Sequence, residues 1–216
     1  MINDKETRRV GILLGLLFAI IAAAYLFTPS WLGSNYILFT NIIYQLPLIL
    51  AVATAFNLVR IYGPSSDHGQ SFTLIALAVL SWLIAEIMWV VYESVLQVEL
   101  IYPSWASLFF LAGYVFMFFG FIKEWRLSGS KMIAGMWWPI GFVSVAMVAM
   151  MFKLSYDPTA TSIANVVNLA YNIADVLILV SAILALLNIR QYAGGRLYRP
   201  WFWIMVGKTI LAATSG

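Results

Sequence analysis

FTLIALAVLSWLIAEIMWVVY, residues 72–92, runs for 21 residues with one acidic or basic side chain, Glu86. At ~1.5 Å per residue a helix of this length reaches about 31 Å, the thickness of a hydrocarbon core of ~30 Å. A soluble core helix has no use for so long an apolar run, so the segment reads as a membrane span.

Working outward from it, the same kind of window recurs at 10–28, 36–59, 105–122, 132–152, 163–189 and 200–216. The breaks carry turn chemistry, namely Gly63-Pro64-Ser65-Ser66-Asp67, Tyr102-Pro103-Ser104, Ser128-Gly129-Ser130, Asp157-Pro158-Thr159 and Gly194-Gly195. None is long enough to hold a second domain. The pattern predicts an all-α polytopic membrane protein, a seven-helix bundle forming a single transmembrane domain over 1–216.

Composition agrees. Of 216 residues, 63% are apolar and 10% charged, against roughly 45–50% and about 25% in a soluble domain. There are too few charges to cover a water-facing surface. The net charge of +3 matters less than where the basic residues fall. Lys5, Arg8, Arg9, Arg60, Lys123, Arg126, Lys131, Arg190, Arg196 and Arg199 lie at one set of span ends, with Lys153 alone at the other. Basic residues stay on the cytoplasmic side. This predicts a cytoplasmic N-terminus in a multi-pass protein of the cell membrane, with 29–35, 93–104 and 153–162 outside.

The chain has no cysteine and one histidine, His68, which excludes disulfide frameworks, thiolate metal sites and bis-histidine haem ligation within it. No Gly-rich phosphate loop, HExxH pair or GxSxG elbow occurs. The expectation is no enzyme, no cofactor, no metal and no nucleic-acid partner. The first apolar run follows three basic residues but, at 19 residues, is longer than a usual signal core and reads as a retained helix. Its Gly11, Gly15, Ala19 and Ala23 recur at steps of four, a small-residue ladder that serves packing within the bundle or a homodimer face. The last span stops at Ser215-Gly216 without a basic or aromatic anchor, which suggests a longer natural chain.

Three short stretches carry a resemblance. Trp82-Leu83-Ile84-Ala85-Glu86, YPSWASLFFLAGY at 102–114 and Tyr171-Asn172-Ile173-Ala174-Asp175 look like the prokaryotic multi-helix membrane sensor modules that contain a YPSxAD segment. In bacteria such modules often precede diguanylate cyclase (GGDEF) or phosphodiesterase (EAL) output domains, and archaea have similar chains without them. The likeness covers roughly residues 75–210, and the aspartate of the pattern falls on Ser107 here. It implies a sensory role and a bundle architecture, and no particular ligand. Pairing the second to seventh spans as hairpins also suggests a helix-hairpin repeat. The best internal match sets Ala106–Leu111 against Ala174–Leu179, an offset of 68.

Polar residues inside the spans point to a site. Asn165, Asn168, Asn172 and Asp175 are spaced three, four and three apart and share one face of the sixth span. Lipid cannot satisfy them, so they bond a neighbouring helix or wall a cavity. Asn41, Tyr44 and Gln45 on the second span, with Pro47 just below, and Trp82, Glu86, Trp89 and Glu93 on the third lie in the same outer half. A pocket open to the outside explains that clustering better than helix glue alone. The expected ligand pocket therefore comprises Asn41, Tyr44, Gln45, Trp82, Glu86, Trp89, Asn168, Tyr171, Asn172 and Asp175.

Lys208, within the last span, is too deep to reach the interface and should pair with Asp175 or Glu86. A lysine on the seventh span opposite a carboxylate on the third also resembles retinal proteins, but Ile204 stands where the microbial rhodopsins place an aspartate one turn earlier. The expected function is a sensor or receptor-like module that binds a small ligand from outside and signals by helix motion. A transporter or channel is the alternative, and a retinal photoreceptor a minor one.

Overall fold

The computed structural model describes residues 36–98, 102–127 and 137–189, together with positions 16, 19, 20 and 23. Among the described residues the chain is all-helical, with five long helices and no strand. They are α1 (Tyr36–Tyr62), α2 (Asp67–Val90), α3 (Trp105–Leu127), α4 (Trp137–Ser155) and α5 (Ser162–Ile189). A π-helical turn, Val91–Val95, extends α2. All five helices are long and apolar enough to cross a membrane.

These elements correspond to the second through sixth expected spans, with shifted ends. α2 begins five residues before the expected 72, because Ser66 caps it: the Ser66 Oγ accepts from the Gly69 amide at 2.9 Å. The helix thereby includes the polar turn Asp67–Gln70, which hydropathy alone trims away. α3 likewise runs to Leu127 rather than 122, because Lys123, Glu124 and Arg126 are good helix formers that a hydropathy window discards. Of the first expected span, positions 16, 19, 20 and 23 are helical and exposed, Ala19 and Ala23 among them. Gly11 and Gly15, the seventh span and Lys208 lie outside the described residues, and with them any Lys208–Asp175 pair.

α1 and α2 form a tight antiparallel hairpin. Gly63 takes φ +80° at the end of α1, a conformation that costs glycine little, and its amide bonds the Val59 carbonyl at 2.9 Å. Pro64 then stops the helix, and the Ser66 hydroxyl donates to the Tyr62 carbonyl at 2.8 Å. This end of the bundle is called the Pro64 end, and the opposite one, near the Tyr102–Ser104 segment, the Pro103 end.

Packing follows the order α1, α2, α3, α5, α4. α2 sits between α1 and α3 and has the most buried face, made of small residues such as Ser71, Ala76, Ala78, Ser81 and Ala85. Across from it, α3 offers Gly113 and Gly120, where the α2 backbone comes close enough that an added Cβ would lie 3.0 Å from the Ala78 carbonyl oxygen or 3.2 Å from that of Ser71. Phe72, Ile75 and Trp82 of α2, Met117 and Phe121 of α3 and Ile178 of α5 form the core around this seam.

Of the three expected hairpins, the first is formed by α1 and α2, the second is not formed by direct packing, and the third lies partly outside the described residues. Sequential α3 and α4 are separated by α5, which packs on both. The offset of 68 sets the first turn of α3 against the middle of α5, although both helices start at the Pro103 end. Hydropathy reports where spans begin and end; neighbour choice rests on polar bonds and small-residue seams that it does not contain. α4 is the outermost described helix and its apolar face is open, with Trp138 85% exposed, as lipid contact would require.

At the Pro64 end the lone histidine meets a carboxylate. His68 Nδ1 lies 2.9 Å from Oε1 and 3.1 Å from Oε2 of Glu124, which is 4% exposed. One residue earlier, the Lys123 ammonium donates to the Gln70 side-chain carbonyl. Both contacts join the start of α2 to the end of α3.

Candidate functional site

Further polar groups gather toward the Pro103 end, in three clusters. The first lies between α1 and α2. Asn41 Nδ2 donates to Glu93 Oε2 at 3.0 Å and to Ser94 Oγ at 2.9 Å, tying the start of α1 to the π-helical turn. One turn deeper, Gln45 is 8% exposed and its amide faces the half-buried Glu86 carboxyl. The approach does not close into a hydrogen bond, for neither Gln45 Nε2 nor Oε1 has a partner. Buried amide groups without partners are rare in folded proteins.

The second cluster joins α2, α3 and α5. Trp82 Nε1 donates to the Phe110 carbonyl at 3.1 Å across the α2–α3 seam. The indole meets Tyr114 edge-on at 5.6 Å between centroids, and Tyr114 meets Tyr171 the same way at 6.0 Å. The Tyr114 hydroxyl lies beside the Asp175 carboxyl, within reach of a hydrogen bond. The Tyr171 hydroxyl donates to the Ser107 carbonyl at 3.2 Å, in the first turn of α3.

The third cluster is the asparagine stripe of α5, and it is occupied by α4. The last carbonyls of a helix have no partner of their own. Asn165 Nδ2 donates to the Asp157 carbonyl at 2.8 Å and its Oδ1 accepts from the Asp157 amide at 3.2 Å. Asn168 Nδ2 donates to the Ser155 carbonyl at 3.5 Å, and Asn172 Nδ2 to the Ser155 Oγ at 2.9 Å. The Asn168 Oδ1 in turn accepts from the Tyr102 hydroxyl at 2.6 Å, and burial pushes the Tyr102 phenol up from its ordinary pKa. Asn168 thus bridges the Tyr102–Ser104 segment to the end of α4. Below it the Asp157 turn is closed by Thr159, whose amide and hydroxyl donate to Asp157 Oδ1 at 2.8 and 2.6 Å. Those bonds hold the Asp157 carboxyl below its usual pKa range.

A cleft of about 560 Å3 opens at this end. It lies between Met88 and Tyr92 at the end of α2, Pro103 and Ser104 of the connecting segment, Leu108 and Leu111 of α3, and Val167 of α5. No Lys, Arg, His, Asp or Glu among the described residues lines it. Ser104 precedes α3 as its N-cap: its amide donates to Ser107 Oγ at 3.2 Å and its carbonyl accepts from the Ser107 amide at 3.0 Å. The Ser104 hydroxyl completes no such bond. It is buried and has no partner.

The residues expected to form one pocket are therefore brought together only in part. Gln45 and Glu86 face each other, and Tyr171 and Asp175 join one aromatic group with Trp82. Asn168 and Asn172 instead bond α4, Asn41 bonds the π-helical turn, and Trp89 is exposed. The Tyr44 side chain lies outside the described residues. The cleft touches three of the expected helices but is lined by other side chains. A stripe at helical spacing looks the same whether it faces a cavity or a neighbour, and here the unpaired carbonyls at the end of α4 claim it.

Sequence reasoning missed Ser104, Ser107, Tyr114 and the His68–Glu124 pair. The Ser104-x-x-Ser107 spacing after Pro103 is a helix-start signal and was legible. Comparison with known families, curated proteins and solved structures finds no match for the chain. Among the described residues, no group of three or more His, Cys, Asp or Glu is placed to hold a metal ion.

Proposed function

We propose that this chain is a multi-pass protein of the cell membrane, a sensor or receptor-like module that takes a small ligand at the Pro103 end, facing outward. The orientation rests on Arg60 and Arg126 in the last turns of α1 and α3 at the Pro64 end. The observation that carries the reading is the junction of the cleft with the Tyr102 and Tyr171 bonds. The segment lining it, Pro103-Ser104, is flanked by Tyr102, which holds Asn168, and by Ser107, which Tyr171 holds. Asn168 holds α4 at Ser155. A ligand seated here presses on groups that fasten α3 and α4 to α5, so its binding energy bears on helix position. The Tyr102-Pro103-Ser104 segment is also one of the stretches that resemble prokaryotic sensor modules.

A thermal-shift screen of small molecules on the protein in detergent, followed by hydrogen exchange, tests this. Compounds that protect the protein should slow exchange across 96–104 and change it across 155–165. Compounds that bind at the cleft and leave 155–165 unchanged would sink the signalling role.

A second reading, a transporter, draws support from the unbonded Gln45 amide beside Glu86, a polar pair deep in a helix seam of the kind that substrate or proton pathways use. Accumulation of a protecting compound in proteoliposomes would favour it.

A further inference from the structure

We infer that Glu86 and Gln45 form a proton-binding site in the seam between α1 and α2, where the Glu86 carboxyl takes up a proton and closes a pair of hydrogen bonds with the Gln45 amide. The inference rests on the transporter reading of this seam and names the ion the pair carries.

The Gln45 side chain is 8% exposed, and both of its polar atoms are buried without a partner. The group it faces is the half-buried Glu86 carboxyl. An amide needs a donor for its oxygen and an acceptor for its nitrogen. A carboxylate only accepts, so it can meet Nε2 but leaves Oε1 open. A carboxylic acid does both: its hydroxyl donates to Oε1 and its carbonyl accepts from Nε2. The proton therefore completes the pair. It also needs no room, in a seam where neither amide atom is open to a solvent-sized molecule.

A polar path toward the Pro103 end runs along the same seam. Asn41, one turn before Gln45 on α1, bonds Glu93 and Ser94 of the π-helical turn. Glu93 is exposed, and at ~1.5 Å per residue it stands roughly 10 Å beyond Glu86 along the helix. Among the described residues, the other titratable groups of the packed helices lie elsewhere. Arg60 and Tyr62 of α1, Asp67 and His68 of α2, and Lys123, Glu124 and Arg126 of α3 are at the Pro64 end. Tyr114 of α3 is turned to Asp175, and Tyr92 is exposed.

Infrared difference spectra between acid and alkaline samples of the full chain in phosphatidylcholine vesicles test the site. The protein should show a carboxylic acid C=O band that is present at acid pH and lost at alkaline pH. Heavy-carbon labelling of the glutamate carboxyls should move it to lower wavenumber. Glu86→Gln should remove the band, and Glu124→Gln, at the other end of the bundle, should leave it. Gln45→Leu should keep the band but move it to higher wavenumber, where an unbonded acid absorbs. That variant should hold or raise the thermal midpoint where Glu86 is ionised, and lower it relative to the unaltered protein where the band is present. A second measurement needs no substitution. Dicyclohexylcarbodiimide, an apolar reagent for protonated carboxyl groups, should modify Glu86 at acid pH and lose that reactivity at alkaline pH, as mapped by mass spectrometry. A band that Gln45→Leu does not move overturns the acid–amide pair. Absence of any band that Glu86→Gln removes, together with absence of pH-dependent carbodiimide labelling at Glu86, overturns the proton site, whatever the protein transports. Glu86 titrating as expected in vesicles that accumulate none of the protecting compounds under a pH gradient overturns the transporter reading and leaves the proton site standing.

Discussion

The imidazole of His68 and the carboxyl group of Glu124 meet 2.9 Å apart where the first turn of α2 lies against the last turns of α3. Nδ1 is within reach of both carboxylate oxygens, and in the tautomer that carries its hydrogen there it donates to them. Glu124 is buried, and a buried carboxylate that loses its partner is left with its desolvation cost.

His68→Leu alone should therefore destabilise the protein by about 3 kcal/mol, and the double change with Glu124→Gln should recover part of that loss. Thermal or denaturant unfolding in detergent across the four variants measures the coupling. Strictly additive losses would show that the pair does not hold the two helices together.

The seam between α2 and α3 makes a sharper claim about one methyl group. A Cβ on Gly113 would press on the Trp82 indole and lie 3.0 Å from the Ala78 carbonyl oxygen, whereas Gly141 has nothing within 4 Å. Gly113→Ala should cost about 1–3 kcal/mol through overpacking. Gly141→Ala should be neutral or gain up to about 1 kcal/mol from helix propensity. Equal melting midpoints for the two variants would mean that the helices can separate at little cost.

Gln45 predicts a gain. Both polar atoms of its amide are buried without partners, so replacing it by leucine removes an unmet demand rather than a bond. Gln45→Leu should hold or raise the thermal midpoint, by up to the ~1–3 kcal/mol that an unsatisfied group costs. A fall of similar size would show that the amide is bonded in the membrane. If the variant is stabilised and also loses ligand response or transport, Gln45 belongs to the functional machinery.

The Asp157 turn predicts a pH dependence. Its carboxyl is held below the usual range chiefly by the Thr159 hydroxyl and then by the Thr159 amide. A depressed folded-state pKa means that the turn is supported at all pH values above the unfolded aspartate pKa and loosens as pH falls through the lower, folded value. The Thr159 amide resonance should shift with a midpoint below the ordinary carboxylate range, and Asp157→Asn should abolish the transition. A midpoint at the ordinary aspartate value would show that these bonds are not kept in solution.

What the sequence determined by itself was the class of structure and the rough place of five helices. Apolar runs such as 72–92 and 163–189 are long enough that nothing but a membrane-length helix suits them, and Gly63-Pro64 and Asp157-Pro158 stop helices through local chemistry. The helix ends at Asp67 and Leu127 slipped, because capping and helix propensity carry polar turns beyond the apolar window. The spacing of Asn165, Asn168 and Asn172 correctly marked one polar face, since 3.6 residues per turn is a local property. What that face meets is decided in three dimensions. Only the tertiary structure puts α5 between α3 and α4, gives Asn172 to Ser155 rather than to a cavity, and sets Ser104 on the wall of a cleft lined by other elements. Periodicity fixes the direction in which a side chain leaves its own helix, whereas its partner depends on which helix packs there. That choice is made by small-residue seams and unpaired helix ends far apart in the chain.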